Sequence, residues 1–148
     1  MTKNLIAAVS IRIDAPVDNV WKALTEPALI KQYLFGTNTT TDWKKGSPIT
    51  YRGEWNGKPY EDKGTVVDIV PNKLLHTTHY SPLSGKEDKP ENYNNVIYDL
   101  KVDHGHTIVT LTQDNIENEE QLLKMEENWG MVLDGLKNTV EKQSHTVS

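Results

Sequence analysis

From Leu5 to Ile13 the apolar residues Leu5, Ala7, Val9, Ile11 and Ile13 share one parity, opposite Ala8, Ser10 and Arg12, with Ile6 the exception. A period of two predicts a strand with one buried face. Asp14, Ala15 and Pro16 end it, and Pro16 suits the first turn of a helix, where a missing N–H costs nothing. Val17, Val20, Trp21 and Leu24 then recur at the i, i+3, i+4, i+7 spacing of an amphipathic helix. Thr25 is placed to cap a second short helix, "EPALIKQYL", with Pro27 in its opening turn.

The middle of the chain returns to the strand period. "PITYRGEW" and "KPYEDKGTVVDIV" flank Asn56-Gly57, a pair that tolerates positive φ and favours a tight hairpin. "VPNKLL" leads into another strand, Leu74 to Tyr80, and the polar loop "SPLSGKEDKPEN" follows, the longest candidate for a mobile segment and a possible gate at a cavity mouth. "VIYDLKVD" and "HTIVTLTQ" alternate well and meet at His104-Gly105, a second hairpin. "TVVDIV" offers no clear inward face.

The last element is the longest. Asn118 can cap a helix with Glu119 and Glu120 in its first turn and Gln121 at the capping-box position, where negative charge meets the positive helix end. Leu122, Met125, Trp129, Val132, Leu133, Leu136 and Val140 form its apolar stripe, which Gly130 and Gly135 weaken slightly. Beyond Val140 the period stops. The expectation is one domain over 1–148, with an ordered core from about 5 to 141 and a frayed tail over 142–148.

One strand, two short helices, about six or seven antiparallel strands and a long helix make an α+β layout. The helix has to bury its stripe, and the face of the sheet is the large partner on offer. A sheet bent around that helix would leave a groove, closed at one end by the short helices and the Val17, Val20, Trp21, Leu24 stripe.

Composition narrows the function. A net charge of -5 and an isoelectric point near 5.5, with no local basic cluster, exclude the electrostatic footprint of a nucleic-acid binder. The chain has no cysteine, hence no disulfide, thiolate metal site or cysteine nucleophile. No apolar run approaches the roughly 20 residues of a membrane helix, and "MTKNLIAAVS" lacks the pattern of a leader, so a cytoplasmic protein with no membrane insertion is expected. His76 and His79 stand three apart and point to opposite faces of a strand, and His104 and His106 flank a hairpin glycine, so no metal or other cofactor is expected. No nucleophile elbow or phosphate-binding glycine loop is present. Glu117, Glu119, Glu120, Glu126 and Glu127 are accounted for by helix-start electrostatics and a solvated face, and no catalytic residue is assigned.

"IDAPVDNVWKALTEPALIKQYL", "GTVVDIVPNKLL", "HTIVTLTQ" and "NWGMVLDGLKNTVE" resemble, in order and spacing, the SRPBCC or START-like superfamily, in the branch of the heat-shock protein 90 ATPase activator C-terminal domain. The resemblance spans about Leu5 to Glu141. It implies a helix-grip fold, a curved antiparallel sheet around the C-terminal helix, commonly with an internal cavity for apolar ligands. Tyr33 stands where the branch often has tryptophan, and His79 where an aromatic is common; both would make the cavity more polar.

With that implied cavity, strand and helix parity select the residues that would face it. Tyr51, Trp55, His79, Tyr98, Gln113, Met125, Trp129 and Leu133 are the expected ligand-binding set, with His79, Tyr98 and Gln113 as its polar groups. Each also fits an ordinary core. The expected function is binding of a small lipophilic molecule, such as a lipid, polyketide or flavonoid-like compound. The alternatives are a partner of a heat-shock protein 90 type chaperone and a cyclase- or aromatase-like enzyme using His79 and Tyr98, although no residue set demands catalysis.

Overall fold

The computed structural model describes residues 5–34, 36–55, 57–82 and 85–145, without the side chains of 55 and of 143–145. The alternating first segment is strand β1 (Leu5–Ile13), with Ala7 and Ile13 fully buried. Helix α1 (Val17–Thr25) follows directly, and Glu26 links it to α2 (Pro27–Tyr33), whose proline stands at the helix start.

Six further strands complete the sheet: β2 (Asn38–Thr40), β3 (Pro48–Trp55), β4 (Lys58–Val70), β5 (Leu74–His79), β6 (Asn94–Asp103) and β7 (His106–Ile116). Every pairing is antiparallel, in the order β1-β7-β6-β5-β4-β3-β2. Helix α3 (Glu119–His145) closes the fold. This is the helix-grip architecture that the sequence pattern and the resemblance imply.

Turn chemistry matches the sequence. His104 and Gly105 both take positive φ, 50° and 85°, the pair of left-handed residues that a two-residue hairpin needs to follow strand twist. At the start of α3 the Asn118 side chain accepts a hydrogen bond from the Gln121 N–H at 2.9 Å. The helix runs to His145, past the end of its apolar period, so the tail expected over 142–148 is helical as far as 145 and otherwise lies outside the described residues.

The core is asymmetric, and that asymmetry makes room for a cavity. Helix α3 lies on β1 and β7 and against α1 and α2, burying Val132, Leu133, Leu136 and Val140 on Ile13, Val109 and Leu111. Hydrogen bonds fasten this side: Ala8 N–H to Glu126 Oε2 at 3.2 Å, Asp14 N–H to Glu141 Oε2 at 2.9 Å and Lys137 Nζ to the Arg12 carbonyl at 3.1 Å. Helix α2 is held by the buried Tyr33 hydroxyl, which donates to the Ala23 carbonyl at 2.9 Å, and by Gly135, where a Cβ would come within 3.1 Å of Tyr33 Cβ. The sheet bends away from α3 on its other half, around β3, β4 and β5.

Strand β4 carries the sharpest irregularity. Its register to β5 shifts between Val66 and Asp68, which explains why "TVVDIV" has no single inward parity: a bulge changes the face partway along. At the same crossing Gly64 touches the backbone of Thr78 so closely that no side chain fits.

Candidate functional site

Between the β2–β5 half of the sheet and α3 lies a cavity of about 890 Å³. Sheet register sets out its wall in rows. Leu75 and Tyr98 are cross-strand partners deep in the fold, and Leu111, the next partner along, is already in the packed core; Thr77, Val96 and Gln113 form the next row; His79 and Asn94 form the row nearest the strand ends. On the other half, Thr39, Tyr51 and Asp62 stand opposite one another across β2, β3 and β4. Leu24, Ile30, Tyr33 and Leu34 close one end, and Met125, Trp129 and Val132 form the side contributed by α3.

The polar groups are held in place. His79 Nε2 lies 2.8 Å from Asp62 Oδ2; since a carboxylate only accepts, the histidine donates from Nε2. The Tyr51 and His79 rings are 5.7 Å apart and tilted at 59°. Tyr51 hydrogen-bonds Thr77, yet burial, together with the nearby Asp62 charge, pushes its phenol up to about 12. Burial drives the Tyr98 and Tyr33 phenols upward as well, each helped by neighbouring tyrosines. At neutral pH all three are therefore protonated, serving as hydrogen-bond groups and not as bases. Across the cavity the Trp129 indole N–H donates to Gln113 Oε1 at 2.6 Å, tying α3 to β7.

Six of the expected residues, Tyr51, His79, Tyr98, Gln113, Met125 and Trp129, come together around this cavity. Two do not. Leu133 is 1% exposed and packed in the core between α3 and the sheet, because it follows Trp129 by four positions but turns toward β1 and β7. The side chain of Trp55 lies outside the described residues. Of the α1 stripe, only Leu24 reaches the cavity, while Val20 is in the solid core, so α2 and not α1 supplies most of that end wall.

Sequence reasoning missed Thr39, Trp43, Tyr60 and Asp62, all of which line the cavity. Thr39 lies in "TNTTT", whose uniform polarity gives no strand signal; its three-residue strand exists only by pairing with β3. Asp62 reads as one charge among several in "YEDKG", and only its register opposite Tyr51 turns it inward.

Over its described part the polar loop after β5 is tied by several side-chain contacts. Tyr80 donates to the Lys86 carbonyl at 2.6 Å and stacks on Tyr93 at 5.2 Å, and Tyr93 donates to Asp88 Oδ1 at 2.6 Å. Lys63 pairs with Asp88. Asn115, at φ 59°, donates its side-chain amide to the carbonyls of Glu91 and Tyr93 at 2.8 and 3.2 Å.

The histidines are dispersed. His76 meets Asn95 at 2.8 Å, His104 is exposed and His106 faces Asp14. Among the described residues no group of three or more histidine, aspartate or glutamate side chains could hold a metal ion. Among the same residues, no helix is long and apolar enough to cross a membrane. Glu126 serves β1 and Glu117 pairs with Lys86, so the acidic start of α3 has structural partners.

Comparison with known proteins places this geometry. The profile of the family described as "Activator of Hsp90 ATPase homolog 1-like protein" matches residues 14–141, and the chain belongs to that family. The solution structure of ChR145 from Cytophaga hutchinsonii is 45% identical, with 99% of each chain covered and a TM-score of 0.85. The Aha1 dimer from Colwellia psychrerythraea, at 22% identity, 93% and 96% coverage and a TM-score of 0.71, shares the fold. So does CalU16 from Micromonospora echinospora, at 22% identity, 94% and 83% coverage and a TM-score of 0.70. No curated protein matches.

Proposed function

We propose that this member of the Hsp90 ATPase activator homolog 1-like family binds a small, largely apolar or aromatic molecule between the sheet and α3. The observation that carries the reading is the cavity itself: about 890 Å³, walled by Leu24, Ile30, Ile49, Leu75, Val96 and Val132, with a few polar groups converging on it. Ligand sites commonly have 300–1,000 Å³ and this mixture of lining. Burial of the ligand's apolar surface supplies the affinity, and Tyr51, His79 and Gln113 orient it. For a ligand of roughly 20 heavy atoms at about 0.3 kcal/mol per atom, binding is worth about 6 kcal/mol, a Kd of tens of micromolar.

The test is an amide NMR titration of labelled protein with fatty acids, flat aromatic polyketides and flavonoid-like compounds at that concentration. Saturable shifts are expected at Tyr51, His79, Gln113 and the Trp129 indole N–H. Spectra unmoved by the whole panel would remove the reading. The family description favours one other partner, a heat-shock protein 90 type chaperone; ATPase rates unchanged by excess protein would exclude it.

A further inference from the structure

Two hydrogen-bonding atoms on the cavity wall have no partner among the described residues. Thr39 is 4% exposed, and its Oγ1 is buried without a hydrogen bond among the described residues; so is Asp62 Oδ1. Both residues line the cavity, one strand to either side of Tyr51. The rest of the row is committed: Asp62 Oδ2 to His79, and Tyr51 to Thr77. A buried polar atom without a partner is costly, and most such atoms in folded proteins are satisfied by something.

Asp62 decides what can satisfy it. An ionised carboxylate accepts and never donates, so Oδ1 calls for a donor. A ligand carboxylate would bring a second negative charge to an atom that already lacks a donor, in surroundings where such repulsion is strong. Glu54 lines the same cavity, and the lysine there, Lys86, is paired with Glu117. A ligand ammonium would pair with Asp62, but it would have to be stripped of water against Ile49, Trp43 and Leu24, a desolvation cost that the attraction of a buried pair often fails to repay and that a hydroxyl avoids. The charge of Asp62 is in addition already shared with the His79 ring.

We propose that the cavity selects a neutral, hydroxyl-bearing apolar ligand, whose O–H donates to Asp62 Oδ1, and discriminates against carboxylates. Thr39 Oγ1, about two strand spacings or roughly 10 Å further along the row, receives a second polar group when the ligand is long enough. The inference rests on the cavity reading above and narrows its ligand class from lipophilic molecules in general to alcohols and phenols.

The experiment compares 1-hydroxypyrene, 1-methoxypyrene and 1-pyrenecarboxylate by fluorescence titration of the full chain. The three share one apolar body, so their differences report the polar group alone. The hydroxyl compound is expected to bind about tenfold tighter than the ether, the size of one hydrogen bond to a charged group, and the carboxylate weakest of all. In Asp62→Asn, which removes the charge and keeps the shape, the carboxylate should gain several-fold and the hydroxyl preference should shrink. Equal binding of ether and hydroxyl, or a carboxylate that binds tightest, overturns the hydroxyl assignment and leaves the cavity standing. Binding of none of the three overturns both. The wild-type series decides the matter even if the variant does not fold.

Discussion

Replacing Gly64 by alanine tests whether the close crossing of β4 and β5 is a structural necessity and whether it sets the site. A Cβ there would lie 1.8 Å from the Thr78 carbonyl oxygen and 2.5 Å from its carbon, whereas ordinary contact begins at 3.4 Å. The strands must therefore part by about 1.6 Å, and both are pinned on either side. Lys63 and Tyr80 exchange backbone hydrogen bonds at 2.7 and 3.0 Å, and the Thr65 N–H donates to Thr78 Oγ1 at 2.9 Å. Opening the crossing stretches all three beyond bonding range. At about 1 kcal/mol each, with about 1–3 kcal/mol for overpacking, the loss is about 4–6 kcal/mol. That is a large part of the 5–15 kcal/mol a domain of this size has. Urea unfolding followed by tryptophan fluorescence reads it as a midpoint lowered by about 2 M or more at unchanged slope. Because Asp62 and His79 flank the same crossing, their 2.8 Å hydrogen bond should open too, visible as a changed His79 ring resonance. A variant within about 1 kcal/mol of wild type, with that resonance unmoved, would refute the reasoning.

The two glycines of α3 should respond in opposite ways. Gly130→Ala meets nothing within 4 Å and should gain about 0.5–1 kcal/mol of stability, while Gly135→Ala, 3.1 Å from Tyr33 Cβ, should lose about 1–3 kcal/mol, both by urea unfolding. Asn115→Ala removes the amide that holds Glu91 and Tyr93 and places a Cβ residue at φ 59° without its side-chain bonds; faster amide hydrogen exchange over 85–93 is expected, and unchanged protection would contradict the clamp. At high pH, Tyr51 keeps its proton in the folded state up to about 12, while the unfolded chain loses it near 10. The native state then binds more protons than the unfolded one, so stability is intact below pH 10 and is lost as pH rises through about 12, by about 3 kcal/mol. Tyrosinate absorbance of this group should rise together with unfolding measured by circular dichroism; ionisation near pH 10 in a protein still folded would show the phenol to be solvated.

The alternation of β1, β6 and β7, the two short helices opened by prolines, the His104-Gly105 hairpin and the Asn118 cap were all legible in the chain. Each is dictated by neighbours within a few residues, through side-chain period, fixed φ or a local hydrogen bond. The same local rules chose the inward parity of Tyr51, His79, Tyr98 and Gln113, because a strand that buries one face commits every second residue to it. The helical spacing of Met125 and Trp129 brought them to the same side for the corresponding reason.

Tertiary structure decided the rest. Leu133 shares the stripe of Trp129, but which part of a wide apolar stripe meets packed sheet and which meets open space depends on where the sheet curls away, a property of seven strands together. Thr39 has no periodic signal of its own and is a strand residue only because β3 pairs with it. Asp62 looks like solvent-facing charge until register sets it opposite Tyr51 and next to His79. Sequence fixes such choices only through pairings between segments distant along the chain, and a shift of one residue in register turns each of these side chains to the other face.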